Sequence, residues 1–201
     1  IAQKHNIVNA SIALRNAKKA KGDEISVLLN EAKDYIDLAY TNESTSNEAK
    51  MWNYRAPIYL EIALKSPELD DNAILKATDS YIKCMTKGKK DRIIVRKWTP
   101  KEDILAGLIQ CGYKLFNLGI DKYNEGDYKS SLKFYEKIFE IVPFDEEDQL
   151  KRGNITQETI LYNSFFSSSK LKDDTKSKEL LQKLIDINFN EPAIYIQMSD
   201  I

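Results

Sequence analysis

Four times along this chain, three residues recur at plus four and then plus three: Ala32, Ile36 and Ala39; Ala77, Tyr81 and Cys84; Ser131, Tyr135 and Ile138; Ser177, Leu181 and Leu184. Side chains three and four apart share one face of an α-helix. The first members of successive sets stand 45, 54 and 46 residues apart. Self-similarity at tens of residues marks a chain built from repeated helical units, each unable to bury its own apolar face alone. No other feature constrains the fold as much.

The helical period extends to nearly all of the remaining chain. It predicts helices over about 4–20, 24–41, 47–65, 71–86, 100–124, 127–141, 155–170 and 174–187, with another opening near Pro192. Thr45 and Glu48 have the spacing of a capping box, and Thr99-Pro100-Lys101-Glu102 is the clearest helix start. Pro57 falls inside the third helix and predicts a kink or a late start there, because proline removes a donor and crowds the previous turn. Residues 87–98 break the pattern. Their Ile93-Ile94-Val95 run predicts an extended connection against the core, with no partner strand evident. Seven Gly and five Pro in 201 residues leave room for long uninterrupted elements.

Residues 112–145 resemble a tetratricopeptide repeat, whose unit is about 34 residues with preferred residues at packing positions. Leu118-Gly119 matches the Leu-Gly pair of the first helix. Gly126-Asp127-Tyr128 matches the turn, Tyr135 the aromatic of the second helix, and Pro143 the closing proline. Departures exist: Ser131 and Ile138 replace small residues, and Lys122 precedes rather than supplies the expected aromatic at Tyr123. Trp52, Ala56 and Tyr59 match the first-helix packing positions, and Ala77, Tyr81 and Cys84 the second-helix set. The longer steps between sets imply insertions, at 64–72 and 144–153. The fold implied is all-α: a right-handed superhelical solenoid of antiparallel helix pairs in one domain, 1–201. Its approximate units are 4–41, 47–86, 100–143, 155–187 and an incomplete 192–201, with Tyr195, Met198 and Ser199 opening the last. That end lacks a polar cap, so the expectation is a longer natural protein or a covered end. The alternative is a generic helical bundle.

Members of this family bind extended peptides along a concave groove built from first helices. The resemblance places Asn53, Pro57, Tyr113, Phe116, Ile120, Tyr123, Tyr162, Phe166 and Lys170 there. Aromatics suit such a surface because they bury much area for little lost entropy. The competing reading is that several pack between repeats. The Lys/Asn/Arg set that clamps a C-terminal carboxylate in some members is not reproduced, since Pro57 departs from it.

Other chemistries find little purchase. The totals of 30 basic and 31 acidic residues give a net charge of −1, without the global basic field that nucleic acid needs. No apolar run approaches the roughly 20 residues of a membrane span. Cys84, Cys111 and the single His5 do not make up a four-ligand zinc set. The two cysteines read as buried thiols, with a disulfide as the alternative in an oxidising compartment. Asp70-Asp71 and Glu146-Glu147-Asp148 read as solvated loop charge, and no catalytic motif, cofactor or metal is expected. Lys83, Lys87, Lys89, Lys90, Arg92, Arg96, Lys97 and Lys101 gather around one loop, either as a solvated surface or as a contact for something anionic.

The segment Trp52-Asn53-Tyr54-Arg55-Ala56-Pro57-Ile58-Tyr59 is similar to the first full repeat of exported tetratricopeptide proteins of Gram-negative bacteria. An Ile1-Ala2-Gln3 start fits signal-peptide cleavage, although a boundary of any other origin reads the same. The resemblance implies a non-catalytic protein-binding scaffold in the periplasm or at the cell envelope, with a peptide or protein partner. A structural subunit of an envelope or secretion assembly, using its convex face and open end, is the alternative.

Overall fold

A computed structural model describes residues 2–189. The expected fifth unit, with Tyr195, Met198 and Ser199, lies outside them. Among the described residues the chain is helical without a regular strand, in nine α-helices: α1 (Ala2–Ala17), α2 (Glu24–Thr41), α3 (Ala49–Lys65), α4 (Ala73–Cys84), α5 (Lys101–Asn124), α6 (Tyr128–Phe139), α7 (Gln149–Arg152), α8 (Gln157–Lys170) and α9 (Asp174–Asp186). They form two compact units. Residues of α5 up to Cys111 belong to the first unit and those from Gly112 to the second.

All twelve members of the four recurring sets are buried, on α2, α4, α6 and α9. The pattern that predicts the helices is thus the pattern that removes apolar surface from water, about 1.5–3 kcal/mol for each large side chain. In the first unit α1 packs on α2, α2 on α3 and α3 on α4, while α1 also meets α3. In the second, α6 packs on α8 and α8 on α9 around Leu161, Phe165, Leu180, Leu181 and Leu184.

The α5–α6 turn shows how local sequence sets this geometry. Gly126 sits at φ 82°, a left-handed conformation that a side chain disfavours. Asp127 then caps α6 by accepting the Ser130 N–H at 3.1 Å. The helix buries Ser131, Phe134, Tyr135 and Ile138. Opposite them Gly119 presents bare backbone. A Cβ there would lie 2.6 Å from the Tyr135 ring, so the ring packs where a side chain would stand. The Ser131 hydroxyl donates to the Gly119 carbonyl at 2.7 Å. Tyr81 uses Gly107 in the same way in the first unit, where a Cβ would fall 2.3 Å from the ring.

Several expectations fail locally. Helix α3 starts at Ala49 and runs through Pro57 to Lys65, so the proline does not delay its start. Packing on α2 and α4 holds the helix across the missing donor. Thr45 does not cap α3. It is buried, and its hydroxyl donates 2.6 Å to the Ala39 carbonyl, closing the turn after α2. A capping box joins Thr156 and Thr159 at the start of α8. Residues 87–98 pair with their own chain through an antiparallel bridge between Lys87 and Ile93. The acidic loop after Pro143 contains the single turn α7, whose first N–H groups are accepted by Asp145.

Candidate functional site

The second half of α5 and helix α8 are held beside α6 by buried side chains, and their exposed faces meet over Tyr135. A cleft of about 270 Å³ opens there, lined by Ile120, Tyr123, Asn124, Tyr135, Asn163 and Phe166. Three of these six are groove residues expected from sequence: Ile120, Tyr123 and Phe166. Ile120 is 38% exposed, so its apolar surface is open to a ligand in the cleft. Tyr123 stands edge-on to Tyr128, with ring centroids 5.1 Å apart, and Phe166 is braced by Phe165 and Tyr162 at 5.5 and 4.7 Å. The aromatic walls are therefore fixed before anything binds, which lowers the entropy lost on binding.

Polar groups sit at the same place. Asn163 donates its amide to the Thr159 carbonyl at 2.9 Å, which orients the side chain and leaves its carbonyl oxygen for another donor. Asn124 ends α5 at the rim. Tyr135 forms the floor. Its hydroxyl is pushed up to about 12, chiefly by burial, so it stays protonated and acts as a fixed dipole. Lys122 and Glu125 pair at 2.6 Å on the adjacent turn. The lining is apolar walls with amides, without a nucleophile–base pair.

The other groove residues lie elsewhere. Tyr113 is 37% exposed, but its hydroxyl donates to the Gln149 carbonyl at 2.7 Å, tying α5 to α7 beside Glu147, Arg152 and Gly153. Phe116 packs edge-on against Tyr135 at 5.8 Å. Tyr162 faces Phe166 and Phe189. Lys170 is exposed at the end of α8. Asn124 and Asn163 were missed by sequence reasoning, since an amide carries no periodic signal. Tyr135 was recognised for packing alone, although it also floors the cleft.

In the first unit Asn53 is only 6% exposed, and Pro57 is half-buried four residues on. Among the described residues, Asn53 Oδ1 is buried without a hydrogen-bond partner. Two residues on, Arg55 is buried, stacked over Tyr40 and Tyr59 at 4.2 and 4.3 Å, and 3.4 Å from Asp37. The Tyr59 hydroxyl donates to the same carboxylate, 2.6 and 2.7 Å from its two oxygens. Burial first, then this bond to Asp37, drive the phenol well above its ordinary range. Trp52 completes the cluster edge-on to Tyr40 at 5.5 Å. Every charge has a counterpart, so the cluster locks α2 to α3.

Cys84 and Cys111 are both free and buried, and burial pushes each thiol up to about 12. Among the described residues no group of three His, Cys, Asp or Glu is placed to hold a metal ion. No described helix is long and apolar enough to cross a membrane. No protein-family model, curated protein or solved structure matches the chain.

Proposed function

We propose that this protein is a non-catalytic scaffold of tetratricopeptide type, binding a peptide or protein segment along first-helix surfaces. The observation that carries the proposal is the cleft lined by Ile120, Tyr123, Asn124, Tyr135, Asn163 and Phe166. It combines rigid aromatic walls with amides able to meet a peptide backbone, the composition expected of a recognition groove. The packing order supports the same reading: α1 meets α3, and α6 meets α8, as stacked helix pairs require. The proposal extends to a right-handed superhelical arrangement, which a crystal structure of the purified chain tests. It also extends to an exported, envelope-associated location, which cell fractionation tests.

The binding test is a selection of extended peptides on the purified protein, followed by affinity measurement against Ile120→Asp and Phe166→Ala. Ile120 is exposed enough for the substitution to leave the fold intact by circular dichroism. Loss of binding by about tenfold or more in both variants is expected, since buried aromatic anchors at interfaces are worth about 2 kcal/mol or more. Peptides that bind all three proteins alike would overturn the groove and favour a structural subunit working through its outer surface.

A further inference from the structure

Residues 83–101 hold eight Lys and Arg against one acidic residue, Asp91, in a chain with 30 basic and 31 acidic residues in all. The rest of the chain is therefore net acidic. The fold concentrates this charge on a small hairpin of the first unit. The Gly88 N–H donates to the Arg92 carbonyl at 2.9 Å and the Ile94 N–H to the Thr86 carbonyl at 3.0 Å, either side of the Lys87–Ile93 bridge. At the tip Lys90 and Asp91 hold φ of 64° and 55°, a left-handed conformation disfavoured for residues with a Cβ. Val95 is fully buried and roots the hairpin. Its carbonyl accepts the Trp98 and Thr99 N–H groups at 2.9 and 3.2 Å, making the turn that leads to α5.

That turn leaves Trp98 43% exposed. Lys83, Lys90, Arg92, Arg96 and Lys97 are exposed, and among the described residues none of them has a carboxylate within ion-pair distance. Lys87 is matched by Asp91 at 2.9 Å. Unmatched cations on a protrusion suit a laterally continuous anionic surface better than a single anion, which needs an enclosing cleft. The lone exposed indole favours a lipid surface: an amphipathic ring settles at headgroup depth. Binding to single-stranded nucleic acid relies on several aromatics stacking successive bases, and this segment offers one. We infer that the 86–98 hairpin docks the protein peripherally on membranes rich in anionic lipid, its cations on the headgroup phosphates and Trp98 at the interface.

The test is cosedimentation of the full chain with phosphatidylcholine vesicles containing about one-third phosphatidylglycerol, at low ionic strength where screening is weakest. Binding to these vesicles and not to phosphatidylcholine alone is expected, with a blue shift of Trp98 emission in a Trp52→Phe background. Each neutralised cation weakens binding roughly fivefold, so Lys90→Gln/Arg92→Gln/Arg96→Gln/Lys97→Gln together loses on the order of several hundredfold. Asp91→Asn, which tolerates the left-handed φ and releases Lys87, tightens it by a similar single step. Absence of binding, equal binding to neutral vesicles, or an unchanged affinity in the quadruple variant overturns the inference. So does tighter binding to poly-glutamate or single-stranded DNA than to the vesicles, which would make the partner an acidic polymer.

Discussion

Replacing Gly119 by alanine isolates the contact that sets the α5–α6 distance. In an open helix the change would stabilise by about 1 kcal/mol, since glycine loses more backbone entropy on folding. Here the new Cβ would stand 2.6, 2.7 and 3.0 Å from Cε1, Cζ and Cδ1 of Tyr135. The ring cannot swing away: it is buried, packed edge-on to Phe116, and followed one turn on by buried Ile138. The helices must separate instead, which also strains the 2.7 Å bond from Ser131 to the Gly119 carbonyl. Overpacking of this kind costs about 1–3 kcal/mol. Set against the propensity gain, the net is destabilisation by up to about 2 kcal/mol, read as a lowered urea midpoint at unchanged slope. The cycle with Tyr135→Leu makes the test sharp, because leucine ends short of the Cε1 and Cζ positions. In that background Gly119→Ala should change sign and stabilise, giving a coupling of about 1–3 kcal/mol. A stabilising Gly119→Ala in the natural background, or no coupling, would refute the reasoning.

Tyr59→Phe removes a buried hydroxyl donating to the Asp37 carboxylate at 2.6 and 2.7 Å, and should destabilise the first unit by about 1.5–3 kcal/mol in chemical denaturation; a change below about 0.5 kcal/mol would show that the bond is no better than one to water. Asp127 is held below its ordinary value of 3.8 by the hydrogen bonds from Ser130. A lowered folded-state pKa means that its contribution is present above 3.8 and is lost as pH falls through the folded value. Acid titration of stability should therefore be shallower in Asp127→Asn, a substitution that keeps the cap, and identical curves would refute the link. Cys84 and Cys111, both pushed up to about 12 by burial, should resist thiol reagents at neutral pH and react together on unfolding; rapid labelling of the native protein would show that α4 and α5 open locally.

Among the described residues, eight of the nine helices and the buried face of each second helix are legible in the sequence, and the single turn α7 is not. Ala32-Ile36-Ala39 and its three counterparts are legible because burial of one helical face writes a local period into the chain, and all twelve positions are buried. Glycines 119 and 126 were legible for the same kind of reason: one permits close approach and the other a left-handed turn. Tertiary structure alone decided what the remaining polar and aromatic side chains do. Thr45 carries a capping signal, yet bonds back to Ala39 because the turn after α2 buries it. Pro57 carries the signal of a late start, yet α3 already begins at Ala49, because packing on α2 and α4 offsets the one lost donor. Of the aromatics placed in the groove by position, Tyr123 and Phe166 line the cleft, whereas Tyr113 and Phe116 are drawn to Gln149 and Tyr135. An aromatic ring reads alike in sequence whether it walls a groove or fills a core. Which it does depends on the neighbour opposite, and that neighbour is brought close only by the packing of helices distant in the chain.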